Sequence, residues 1–331
     1  MEKGSLLNKS RLSCLMDRSQ SELHYSLSDY RNSYYISNNP DKIIEFYKGF
    51  ENRNQLIEWM KERPRGVANV CEVEGDKDIV VVIPTANIRG KYAMNCSERI
   101  FKGLHIVFVE SGEVPDPYFN YAHNCNVGIR RAMEYNPRWI VLSNDDMQMI
   151  DEVQKLKSEL KKIPPDQFQI ILSKSRIQNA SVTFIGQNTL RRKLIYLLRG
   201  KYTRKLLKVE KKFQIKFFSH GASFSFRFLY KNDLKFPAIG DFVILSSSLF
   251  SENSVLFDEV FINGNEDIDE ALDLYLKKMK YSTVDYNIES IGGGTLGRKF
   301  RMLKDIANLA YLNRKIESNI VQIKKDKYEL F

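Results

Sequence analysis

Ile79-Val80-Val81-Val82-Ile83 places five β-branched residues in a row. Branching at Cβ stiffens χ1 and favours pleated backbone. A strand with no polar alternation has no face to turn to water, so it suits a parallel sheet covered by helices on both sides. Pro84-Thr85 stops the run. Two similar runs follow: Leu104 to Val109, ended by Glu110-Ser111-Gly112, and Trp139 to Leu142, ended by Ser143-Asn144-Asp145-Asp146. Helical patterns lie between them, near Asn95 to Lys102 and from Asn120 to Tyr135. Strands alternating with helices read as βαβ units. The predicted class is therefore α/β: a Rossmann-like single domain with a mixed, mainly parallel sheet and helices on both faces.

The flanking pieces differ in character. Residues 1–40 are polar and weakly periodic, and read as a surface wrap. Ile43 to Trp59 give one helical apolar stripe, closed by Arg63-Pro64-Arg65-Gly66. After the third strand the pattern predicts a helix over 149–162, then strands at Phe168–Leu172, within Phe217–Tyr230, at Phe242–Leu245 and at Ile288–Ile291. A helix follows the acidic stretch Phe257–Asp269, and an amphipathic helix carries Phe300 to Ile320. These elements divide the chain into a helical extension (1–75), a catalytic-type domain (76–295) and a C-terminal amphipathic helix (296–331).

Charge narrows the partners. The net charge is +10, and the segment 190–216 carries nearly all of the excess, against the single acid Glu210. A basic balance predicts a polyanionic partner. Cations interleaved with Leu and Ile suit an amphipathic helix on an anionic membrane surface, or a solvated basic face with a core-facing Leu stripe. Nucleic acid ranks below these, because few aromatics accompany the cations and no nucleic-acid-binding signature is present. Cys14, Cys71, Cys96 and Cys125 show no CxxC spacing, which predicts neither a zinc site nor a disulfide framework and fits a reducing, cytoplasmic location. No run reaches the ~18 apolar residues of a membrane span, so any membrane contact would be peripheral, on the cytoplasmic face.

The acids are the candidate chemistry. Asp145 and Asp146 follow a strand end, where ligands of open α/β sheets bind. Hard cations such as Mg²⁺ and Mn²⁺ take oxygen ligands there and bridge to substrate phosphates. The same residues could also simply begin a helix, as Glu266, Asp267 and Asp269 could favour a helix N-terminus.

Four pieces stand in a telling order: Val82-Ile83-Pro84-Thr85, Asn126-Val127-Gly128 in its helix, Ser143-Asn144-Asp145-Asp146, and Phe257-Asp258-Glu259 with Glu266-Asp267. Together, over roughly residues 78–294, they resemble the family 2 glycosyltransferases of the GT-A fold. The resemblance implies a nucleotide-sugar donor (UDP, GDP or dTDP linked), a divalent cation (Mn or Mg), inversion at the anomeric carbon, and a glycan or lipid-linked acceptor. It implies donor contacts from Pro84, Thr85, Asn87, Glu110, Asn126, Asn144 and Asp145. It also implies metal ligation by Asp146 with Asp145, and a general base at Asp267 with Glu266 beside it. Two other readings stay open: a non-catalytic membrane- or polyanion-binding protein on the same fold, and a nucleotidyltransferase.

Overall fold

The computed structural model describes residues 12–15, 30–114, 116–177, 179–184, 203–220, 234–250, 255–291 and 300–319. Its centre is an eight-stranded sheet. In chain order its strands are β1 (Leu12–Leu15), β2 (Asn69–Val73), β3 (Asp76–Thr85), β4 (Leu104–Glu110) and β5 (Trp139–Ser143). Then come β7 (Ile170–Ser173), β11 (Phe242–Ser246) and β12 (Tyr281–Val284), while β6 (Met147–Met149) and β13 (Ile288–Ser290) pair separately as a two-stranded ribbon. The spatial order is β1-β2-β4-β3-β5-β11-β7-β12. Strand β3 pairs in parallel with β4 and β5, and β7 with β12, while β2 and β11 run against their neighbours. A third sheet joins β8 (Asn179–Phe184) to β9 (Phe217–His220) and β10 (Leu234–Pro237). The α/β class and the mixed sheet are as the sequence predicts.

The β-branched run shows why. Val80 and Val82 point to one face, where Ala122, Cys125, Ile129 and Ala132 of α5 (Tyr121–Met133) cover them. Ile79, Val81 and Ile83 point to the other, against Cys96, Ile100, and Val153, Leu156 and Leu160 of α6 (Val153–Leu160). All five are buried. Helix α5 lies so close to the sheet that a Cβ on Gly128 would stand 2.4 Å from Val82 Cγ1 and 2.9 Å from Val109 Cγ2. Glycine is needed there for that approach.

A second core lies beside the sheet. The single helix expected over 43–59 is two, α2 (Pro40–Lys48) and α3 (Arg53–Glu62), following α1 (Tyr30–Tyr35). The break follows from capping: Asn39 and Asn52 each accept backbone N–H groups at a helix start, and Pro40 sits at the first helical position. These helices pack with α7 (Thr203–Lys212) and α9 (Arg301–Ser318) around Tyr47, Phe46, Trp59, Leu206, Phe213 and Ile306. The helices of 30–62, 203–212 and 301–318 thus share one core. Tyr47 Oη donates to Leu303 O (2.6 Å) and Arg53 pairs with Glu317 (2.6 Å).

Several expectations change in detail. The helix expected over 149–162 is only α6, because Met147–Met149 pairs with Ile288–Ser290. The helix expected over 95–102 is α4 (Lys91–Asn95) followed by a π-helical turn, Cys96–Ile100. Strands β2, β8 and β12 lack a strong apolar pattern and were not predicted. Cys71 is disulfide-bonded, contrary to the expectation of no disulfide framework, and Cys14 stands opposite it in the β1–β2 register. Among the described residues no helix is long and apolar enough to cross a membrane. The glycine-rich run 292–298 and most of the aromatic run 217–230 lie outside the described residues.

Candidate active site

Strands β3, β4 and β5 run in the same direction and end at Thr85, Glu110 and Ser143, so their polar followers share one rim of the sheet. Thr85 Oγ1 donates to Asp145 Oδ2 at 2.7 Å, fixing one carboxylate oxygen of the acid pair. Cys96 Sγ approaches Asp145 O, and Ile291 N donates to Asp146 O at 2.8 Å. Backbone oxygens of both acids are thus held by neighbouring segments. Asp145 and Asp146 are only 7% and 5% exposed. Burial raises the Asp145 carboxyl, with the Asp146 charge adding to it and the Thr85 hydroxyl opposing. Burial also lifts the Cys96 thiol, to about 12, with the two aspartates adding.

Asp146 Oδ1 is buried and has no hydrogen-bond partner. A buried carboxylate oxygen without a donor calls for a positive partner. Among the described residues no group of three or more His, Cys, Asp or Glu side chains is gathered as a metal cage. A cation bound through one or two carboxylates plus substrate phosphates needs no cage. The residues present fit that arrangement.

The rest of the rim is knitted together. Glu110 Oε1 accepts Ile88 N–H at 3.0 Å, and Asn87 Oδ1 accepts Arg89 N–H at 2.7 Å. Asn87 also donates to Glu113, and Thr85 O accepts Ser111 N–H at 3.0 Å. Pro84 is buried within β3, opposite Val109. Asn144 N–H donates to Asp241 O, and its Oδ1 accepts the Tyr121 hydroxyl at 2.9 Å.

Tyr121 connects this rim to the second acid pair. It opens α5, and its proton affinity is raised by burial, then by Cys125, and further by the charges of Glu266 and Asp267. Those two acids begin α8 (Glu266–Leu276). The residues before them are held tightly. Asn263 (φ 53°) and Asn265 (φ 67°) are both left-handed, a region asparagine tolerates better than most side chains. Asn263 Oδ1 accepts Tyr121 N–H, Asn120 Nδ2 donates to Glu259 O and Phe261 O, and Asn308 brackets the Ile262 backbone. Lys315 of α9 bridges Asp258 and Asp269, with burial outweighed by those two charges so that its proton is held firmly.

Glu266 is 7% exposed and its Oε2 has no partner. Burial, then the charge of Asp267, pushes the Glu266 carboxyl well above the usual range. Burial raises Asp267 too, opposed by the Ile268 N–H it accepts and by the Arg301 guanidinium. Asp267 is half-buried, whereas Glu266 is buried.

Asn126 has a different place from the other candidates. It is wholly buried, and its amide is fully engaged by the chain itself. Nδ2 donates to Phe257 O (2.8 Å) and Glu259 Oε1 (3.0 Å), while Oδ1 accepts Leu256 N–H (2.9 Å) and Phe257 N–H (3.0 Å). It clamps the Phe257-Asp258-Glu259 turn onto α5, and Gly128 two residues on lets that helix approach the sheet. His123 Nδ1 pairs with Glu259 at 2.9 Å. Burial would raise the Glu259 carboxyl, yet the hydrogen bonds from His123 and Asn126 overcome it and hold it down at about 2.

Sequence reading missed Tyr121 and Asn124. Asn124 is fully buried with neither its Oδ1 nor its Nδ2 partnered, one helical turn from Tyr121. The only available signal was two polar residues inside the apolar stripe of α5. No protein-family model matches the chain, and no curated protein is significantly similar to it.

Proposed function

We propose that this protein is a GT-A-type glycosyltransferase that moves a sugar from a nucleotide-sugar donor to a hydroxyl acceptor with inversion. One observation carries the reading. Tyr121 links two acid-bearing loops more than a hundred residues apart in sequence: its hydroxyl bonds Asn144, the residue before Asp145, and it lies in the field of Glu266 and Asp267. A displacement with base and leaving group on opposite sides of the reacting carbon needs such an arrangement.

In this reading Thr85, Asn87 and Glu110 shape the nucleoside end of the donor pocket, and Asn144 and Asp145 stand nearer its diphosphate. A divalent cation held by Asp146 and Asp145 would supply Lewis-acid neutralisation of the diphosphate oxygens. Asp267 accepts the acceptor hydroxyl's proton as its oxygen attacks the anomeric carbon. The bond from that carbon to the diphosphate breaks, and the nucleoside diphosphate leaves with the electron pair. Burial raises both carboxyls of the pair, and the negative charge of an ionised Asp267 favours the protonated form of Glu266 beside it. Lys315, Asn308 and Asn126 act at a distance, by fixing the loop that presents the base.

A thermal-shift screen of nucleotide sugars, with and without Mn²⁺, tests the reading. A ligand that binds only the folded state raises the melting point, by about 2.7 kcal/mol of stabilisation at a hundred times Kd. One donor class should do so only with the cation, and Asp146→Ala should abolish the shift. No shift with any common donor would count against the proposal.

A further inference from the structure

Helix α7 is the described part of the most basic segment of the chain, and its two faces have opposite fates. Leu206 and Val209, with Phe213 just beyond, are buried against α2 in the second core. This stripe is not free to enter a bilayer. Lys205, Lys208, Lys211 and Lys212 are exposed. At 3.6 residues per turn they fall within about 120° of the helix circumference, along roughly 10 Å of its length, on the arc not occupied by Leu206, Val209 and Phe213. Lys205 pairs with Asp41 (2.6 Å), and Lys212 Nζ caps the end of α2 through Tyr47 O (3.2 Å) and Lys48 O (3.3 Å). Among the described residues Lys208 and Lys211 have no acidic partner, and Glu210, the one acid of the helix, is buried. The preceding residues 190–202 lie outside the described residues; their sequence adds Arg191, Arg192, Lys193, Arg199 and Lys201.

We propose that the outer face of α7 is an electrostatic docking surface for an anionic lipid bilayer, binding headgroups without inserting apolar side chains. Charge complementarity along one helix favours this partner. Lysines are compact point charges that lack the planar fork with which arginine reads phosphates bidentately. No aromatic side chain shares the described exposed face to stack on bases, as single-stranded nucleic acid binding requires. A row of lysines on one straight helix suits a planar array of negative headgroups, where each basic residue contributes about five-fold to partition. With the Leu and Val stripe buried in protein, binding depends on charge alone, unlike that of an inserting amphipathic helix. The proposal stands apart from the catalytic reading and needs no donor or acceptor to test.

The full-length protein is sedimented with vesicles of phosphatidylcholine, with and without phosphatidylglycerol. Binding is expected only to the anionic vesicles, and it should vanish as salt shortens the Debye length to about 3 Å. Replacing both Lys208→Gln and Lys211→Gln should weaken partition about 25-fold, with the melting temperature unchanged because both side chains are exposed. Three results would overturn the proposal: equal binding to neutral vesicles, undiminished binding by the double variant, or no vesicle binding at low salt. Binding instead to a single-stranded oligonucleotide, lost in the same double variant, would assign the face to nucleic acid.

Discussion

Replacing Asn126 with alanine would separate a structural clamp from a donor contact. The amide makes four hydrogen bonds, three of them to the backbone of Leu256 and Phe257. Truncation leaves two N–H groups and one carbonyl in a buried place without partners. Each such group costs about 1–3 kcal/mol, and the losses are not additive, so a total of about 3–5 kcal/mol is expected. For a chain of this size that lowers the melting temperature by about 4–7 °C. Urea unfolding monitored by circular dichroism measures it. Asn126→Asp should be no better above pH 5: it keeps acceptors for the two N–H groups but sets a carboxylate against Glu259 Oε1. Donor affinity of the folded fraction should change little, because the amide has no capacity left for a ligand. A variant that keeps within about 1 kcal/mol of wild-type stability while losing donor binding would refute the clamp.

Other consequences follow from the same packing. Gly128→Ala should cost about 1–3 kcal/mol by overpacking, since its Cβ would meet Val82 Cγ1 at 2.4 Å; an unchanged unfolding midpoint would show that α5 can shift. Burial, then Asp273 and Asp269, raise the Glu270 carboxyl from 4.5 to about 8. The folded state holds that proton longer than the unfolded chain, so this contribution falls as pH rises between those values. Glu270→Gln should therefore match wild type near pH 4 and exceed it above pH 8 by on the order of 1–2 kcal/mol, discounted for water contact. Melting curves across that range would reveal a variant with no pH-dependent advantage, which would contradict the assignment.

The sheet's centre was legible because β-branched runs and the polar residues that end them reflect local physics. Ile79–Ile83, Leu104–Val109 and Trp139–Leu142 fall within β3, β4 and β5. Short strands such as β12 and β6 owe their form to their partners, and no local pattern marks them. The joint core of α1–α3, α7 and α9 was not legible either, since each helix shows an apolar stripe without naming what it packs against. For the site, residue types and order pointed to Asp145, Asp146, Glu266 and Asp267. Asn126 looked like a donor contact for the same reason, and only three-dimensional geometry shows its amide engaged by Leu256, Phe257 and Glu259. Tyr121 was invisible because its place depends on two distant loops, one bonded by its hydroxyl and the other by its backbone N–H.

The central claim is that Asp267 takes the acceptor's proton across the site from the leaving diphosphate. Single-turnover release of nucleoside diphosphate, with the donor found by thermal shift and Mn²⁺ present, measures it most directly in wild type and Asp267→Asn. The account predicts release by wild type and a loss of at least about a hundred-fold in the variant, with the donor's thermal shift retained. Wild-type turnover that survives the substitution, or a variant that no longer binds donor, would contradict it.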